Sequence, residues 1–167
     1  MSGCDVLRHQ TPGMLVVTDA RLVAVADGAE LDISLDCRLN GPMSDALEHG
    51  IPITLRIELS VDAQPRAMQQ DREIELRYFP LSRRYQLRDL DQGSERSFSA
   101  YGALVDSLAA LRLPVGIAFA TLAPGTRASV VVSLDRTALP GPLRLPALIE
   151  PAWRLSAPEY TWTVAAG

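Results

Sequence analysis

The feature that most constrains this chain is a strict two-residue alternation of apolar and polar side chains, clearest in Ile51–Val61. There Ile51, Ile53, Leu55, Ile57, Leu59 and Val61 take every second position, with Thr54, Arg56, Glu58 and Ser60 between them. Successive side chains of a strand point to opposite faces, so such a run buries one face and wets the other. Ala29–Arg38 repeats the pattern with Leu31, Ile33, Leu35 and Cys37, and Glu73–Tyr78 repeats it with Ile74, Leu76 and Tyr78. One-sided burial marks antiparallel sheet, because parallel strands are usually apolar on both faces. The alternation predicts a mainly β, α+β domain built on an antiparallel sheet or β-sandwich.

Weaker strands are expected at Met14–Val25, Arg84–Leu90, Glu95–Phe98, Val115–Thr121, Arg127–Leu134 and Glu159–Val164. Asp27-Gly28, Asp91-Gln92-Gly93-Ser94 and Pro124-Gly125 supply turn chemistry between them. A reversal at Phe79–Arg83 pairs Glu73–Tyr78 with Arg84–Leu90 as a hairpin. Two segments change period. Pro42–His49 reads as a short helix, with Pro42 in its first turn, Met43 and Leu47 on one face, and Gly50 as its stop. Ser99–Leu111 reads as a longer amphipathic helix capped by Ser99, with the stripe Tyr101, Leu104, Val105, Leu108 and Leu111. Pro140, Pro142, Pro146, Pro151 and Pro158 rule out a central strand near the C-terminus. That stretch is expected to be an extended strap, with Leu143, Leu145, Leu148 and Trp153 packing onto the body. A length of 167 residues fits one β-rich domain over 14–167, preceded by a flexible tail over 1–13.

Composition removes several chemistries. All 16 basic side chains are arginine, so a Schiff-base lysine, a P-loop lysine and a Ser–Lys dyad are impossible. A net charge of −4 argues against nucleic-acid binding, which needs surplus cations to displace counterions from phosphate. His9 and His49 are the only histidines and Cys4 and Cys37 the only cysteines, too few for a zinc site of common composition. A catalytic triad would have to use His49, at the end of a short helix, and no Gly-x-Ser-x-Gly elbow accompanies it. Cys37 lies in the apolar phase of its strand and reads as a buried free thiol rather than half of a disulfide. The acidic run Asp89–Glu95 invites a calcium reading. Counted from Asp89, however, its glycine comes fifth rather than sixth, and the twelfth position is Ala100 instead of a glutamate. A solvated hairpin turn is the expectation there. No cofactor or metal is called for. No apolar run reaches the roughly 18 residues of a membrane span, and Met1–Gly13 lacks the apolar stretch of a signal peptide.

Two groupings remain as candidates. Asp32 with Asp36, and Glu73 with Glu75, share polar strand faces, and paired carboxylates about 5–9.5 Å apart serve glycosidases. Arg77, Arg83 and Arg84 with Tyr78 and Tyr85 form the one basic–aromatic cluster. It is the candidate partner-binding surface, since guanidinium forks recognise carboxylates and phosphates bidentately. The alternative is cross-strand pairing of these arginines with Glu73, Glu75 or Asp89.

Three stretches carry a family resemblance. Leu76–Leu87 has the rhythm Leu-x-Tyr-x-x-Leu-x-Arg-x-Tyr-x-Leu; Leu134-Asp135 is followed by Leu139-Pro140-Gly141-Pro142-Leu143; and Trp153-Arg154-Leu155-Ser156 precedes a late Trp162. With Leu47-Glu48-His49-Gly50-Ile51-Pro52 upstream, the chain resembles the proteobacterial family called domain of unknown function 4390, from Leu15 to Trp162. The resemblance implies a periplasmic or envelope location, since members usually carry a signal peptide, although none is expected from Met1–Gly13. Their genes often adjoin that of a membrane-bound sensor kinase of nitrogen-regulation type, which implies an accessory role in signalling. The family has no established catalytic residues. The leading expectation is therefore a non-enzymatic envelope module that binds a protein partner, such as a membrane sensor kinase. The alternatives are a carrier of an apolar small molecule, held between Ser99–Leu111 and the sheet, and a carboxylate-dependent hydrolase.

Overall fold

The alternation becomes two antiparallel sheets in a computed structural model that describes residues 12–165. The smaller sheet runs β1 (Met14–Val25), β2 (Gly28–Arg38), β7 (Leu111–Val115). The larger runs β6 (Glu95–Phe98), β5 (Arg84–Asp89), β4 (Met68–Phe79), β3 (Ile53–Val61), β8 (Arg127–Leu134), β9 (Tyr160–Thr163). Their inward faces share one core. β3 lies inside the larger sheet, with Ile53, Leu55 and Ile57 fully buried and Glu58 exposed on the opposite face. Each such burial contributes about 1.5–3 kcal/mol, so this single strand is a principal source of stability. The expected hairpin is present, with Tyr78 opposite Tyr85 and Phe79 opposite Arg84. Cys37 is a buried free thiol.

Helix α1 (Gly41–Glu48) matches the expected short helix. Its cap is Asn40, the only asparagine in the chain, whose side-chain oxygen accepts from the Met43 N–H at 3.0 Å while its amide donates to the Ala152 carbonyl. One side chain thus closes the helix start and ties it to the C-terminal segment.

Three expectations need correction. The second helix is shorter than Ser99–Leu111: α2 spans Tyr101–Ser107, followed by a 3-10 turn at Leu108–Ala110. Ser99 does not cap it; Ala100 holds that position without a side-chain bond. The strand expected at Val115–Thr121 lies earlier, as β7, and Ile117–Thr121 is a 3-10 turn instead. Leu111, Leu113 and Val115 are buried and Arg112 exposed, so this strand follows the same two-residue rule. Pro114 is tolerated because β7 ends its sheet.

The C-terminal strap is partly helical. α3 (Gly141–Ile149) holds Pro142 in its first turn, where the missing N–H has no helical partner, and Pro146 within. Leu145 and Leu148 do not pack onto the body as expected, but stand 70% and 48% exposed. Trp153 is buried, and beyond it the chain does run as a strap. Leu155 accepts from the Leu134 N–H, and Ala157 donates to Val132, each at 2.8 Å along β8. Cys4, His9 and most of the expected tail lie outside the described residues.

Candidate functional site

The β4–β5 hairpin divides the five sequence-predicted binding residues between two faces of the sheet. Tyr78 and Tyr85 point inward with Leu76 and Leu87, their rings 4.6 Å apart, and Tyr85 meets Tyr101 edge-on at 5.8 Å. Burial, then Tyr78 and Glu48, raise the Tyr85 phenol above its ordinary range. Arg77 projects from the opposite face, its guanidinium 5.8 Å from the centre of the Phe79 ring. Its Nε lies 3.2 Å from Glu75 Oε1, an ionic contact without hydrogen-bond alignment. Arg83 occupies the hairpin turn with a φ of 52°, a left-handed conformation unusual for a side chain of its size, and Arg84 is exposed at the start of β5. Alternation separates what sequence proximity suggested, so the five do not form one surface.

The acidic candidates are placed as follows. Glu73 Oε1 accepts from Arg56 at 2.9 Å, and the same guanidinium reaches Asp135 Oδ2 at 2.9 Å. Burial alone would raise the Asp135 carboxyl, but hydrogen bonds from the Thr137 hydroxyl and amide, with Arg56, hold it below its usual value. Asp32 pairs with Arg21 at 3.1 Å, while Asp36 is exposed. His49 is exposed, and its Nδ1 lies 2.6 Å from the Asp45 carbonyl oxygen of its own helix.

The inter-sheet space holds the more informative arrangement. Buried charge is rare in a sandwich core, yet Arg72 and Asp89 face inward and are 4% and 8% exposed. The expected solvated turn is present, with Leu90–Glu95 exposed, but Asp89 at its start is buried. The two oxygens of Asp89 accept from Arg72 Nη2 at 3.0 and 2.7 Å, and Oδ1 also accepts from the N–H groups of Asp91 and Gln92 at 3.0 Å. Gly93 completes this turn with a φ of 69°. Arg72 Nε, 3.5 Å from Asp91, is buried without a hydrogen bond.

Beside this pair a groove of about 510 Å³ opens between β4–β6 of the larger sheet and the Ala110–Leu113 segment of the smaller. Ile74, Leu87, Leu111 and Leu113 form its apolar walls. Asp89, Glu95, Arg96 and Arg112 supply charge. Arg96 stands opposite Leu87 and therefore on the inner face, whereas Glu95 stands opposite Arg88 on the outer face. A second recess of about 630 Å³ lies between residues 63–69, which include the start of β4, and the 3-10 turn with Leu122, and Arg66 is its one charge. The first groove adjoins the buried Arg72–Asp89 pair, and its lining contains no histidine or cysteine.

Sequence reasoning missed Arg72 and read Asp89 as part of a solvated turn, although the alternation contained a signal for their pairing. Arg72 is in phase with Ile74 and Leu76, and Asp89 with Leu87: two charges at core positions of neighbouring strands.

No curated protein and no solved structure matches the chain. A family model, domain of unknown function 4390 (DUF4390), matches residues 13–163, so both described sheets and the groove fall within it. The chain belongs to the DUF4390 family.

Proposed function

We propose that this domain is a non-enzymatic envelope protein, a protein-binding accessory module that takes an extended segment of its partner into the groove between β6 and β7. One observation carries the reading: both strands flanking the groove end their sheets. Terminal strands present unpaired main-chain donors and acceptors, and an added strand satisfies them while its alternate side chains enter apolar pockets. Ile74, Leu87, Leu111 and Leu113 supply such pockets here. Family membership supports a periplasmic setting and a partner such as the external part of a membrane sensor kinase.

The test is site-specific photo-crosslinking in the native host. A crosslinker at Arg112, on the groove, is predicted to trap a discrete partner, and Leu113→Arg is predicted to abolish the adduct. Equal trapping from Leu81 at the hairpin tip, or adducts indifferent to Leu113→Arg, would overturn the proposal.

A second reading, carriage of an apolar small molecule, is favoured by the groove's volume, which falls within the range of about 300–1,000 Å³ typical of ligand sites. The location the helical stripe suggests, between the second helix and the sheet, is filled by Leu104 and Leu108, both fully buried. Native mass spectrometry of host-purified protein distinguishes the readings. A small-molecule adduct lost in Leu113→Arg supports carriage, and a ligand-free mass counts against it.

A further inference from the structure

An inward-facing charge on an edge strand meets whatever covers that edge. Arg96 is such a charge. It lies on β6, the terminal strand of the larger sheet, opposite the buried Leu87 and on the inner face beside Phe98, whose ring centre is 6.0 Å from its guanidinium. Among the described residues no carboxylate pairs with it, although Arg21, Arg56, Arg72, Arg77 and Arg112 each have an acidic neighbour within 4.0 Å. Asp89 is its natural diagonal partner across β5, but the Asp89 carboxylate is already taken by Arg72 and two turn amides. The groove wall therefore carries an exposed cation with no ion-pair partner among the described residues, beside the apolar side chains of Leu87 and Phe98.

Resting on the strand-binding reading above, we propose that Arg96 is the specificity residue of the groove. It admits an extended partner segment whose inward side chain opposite Arg96 is Asp or Glu, with apolar residues two positions away on either side. The spacing follows from the strand period, because positions two apart share a face and meet Phe98 on one side and the apolar wall on the other. An apolar strand is rejected because it would bury the guanidinium unpaired, the usual way inward charges protect a free edge. A basic strand is rejected by direct repulsion. The β7 edge is the poorer template, since Pro114 offers no N–H.

The probes are three capped heptapeptides, Thr-Leu-Thr-Xaa-Thr-Leu-Thr, with Glu, Gln or Lys at the centre. Backbone amide shifts of the full protein report both location and affinity. The Glu peptide is expected to shift Glu95–Phe98 and to bind about tenfold more tightly than the Gln peptide, with the Lys peptide weakest. Arg96→Gln is expected to level Glu and Gln, and Arg96→Glu to make the Lys peptide the tightest. Arg96 is exposed, and unchanged amide positions away from β6 show that the variants remain folded. Equal binding of all three peptides at β6 overturns the role of Arg96 and leaves the groove reading standing. Shifts from no peptide at either β6 or β7 overturn the strand-binding reading, and this inference with it.

Discussion

Arg72→Met isolates the energetics of the buried ion pair. It replaces a 4%-exposed guanidinium with an unbranched apolar chain and leaves Asp89, 8% exposed, charged and without its cation. Breaking a buried pair from one side costs about 3–5 kcal/mol, because the remaining charge stays desolvated. Asp89 keeps the N–H groups of Asp91 and Gln92, which places the expected loss near the lower bound, about 3 kcal/mol. For a chain of this size that corresponds to roughly 6–12 °C in Tm. Asp89→Asn preserves the turn acceptor but leaves the buried Arg72 only its contact with Asp91 at 3.5 Å, and a similar cost follows. The double variant Arg72→Met/Asp89→Asn removes both charges, so it should lose less than the sum of the singles by about 1.5 kcal/mol or more. Urea unfolding supplies all four values, with a constant m-value as the check on two-state behaviour. Additive losses, or a cost for Arg72→Met below about 0.5 kcal/mol, would refute the claim that this pair is buried and coupled.

Other expectations follow from the packing and the caps. Ile57→Ala, at a fully buried position of β3, should cost about 2–5 kcal/mol in the same assay, whereas Leu145→Ser on the exposed face of α3 should stay within about 0.5 kcal/mol. Asn40→Ala removes both the α1 cap and the donor to Ala152, and thermal melts should show a loss of about 1–2 kcal/mol. Burial, then Asp36, push the Cys37 thiol up from 9.0 to about 11. In a Cys4→Ser background it should resist thiol reagents at pH 8 until the protein unfolds. Between pH 9 and 11 the unfolded thiol ionises while the folded one stays protonated. Stability should therefore be unaffected by this group below pH 9 and fall by about 2–3 kcal/mol as pH rises through that window.

The strands were legible because one-sided burial writes a period of two directly into residue type. Ala29–Arg38 and Arg127–Leu134 show this with almost unbroken alternation of buried and wetter positions. What escaped was shorter than its pattern or locally ambiguous. Leu108 and Leu111 continue the α2 stripe at helical spacing, yet Leu111 and Leu113 also alternate, and pairing with β2 decides for strand. In α3, proline number obscured proline position, for a helix tolerates proline in its first turn as a strand interior does not. The basic–aromatic cluster is divided because neighbours in sequence occupy opposite faces of a strand. The Arg72–Asp89 pair was overlooked because a charge in the apolar phase looks like a break in the pattern until the partner strand supplies its counter-charge.

Amide hydrogen exchange on the free protein and on its photo-trapped complex tests the groove most directly. If the partner adds a strand, the amides of Glu95–Phe98 or Leu111–Val115 that face away from β5 and β2 gain protection in the complex, and the apolar face of α3 does not. Unchanged exchange at both edges, with new protection confined to α3 or to the β4–β5 turn, would contradict the account.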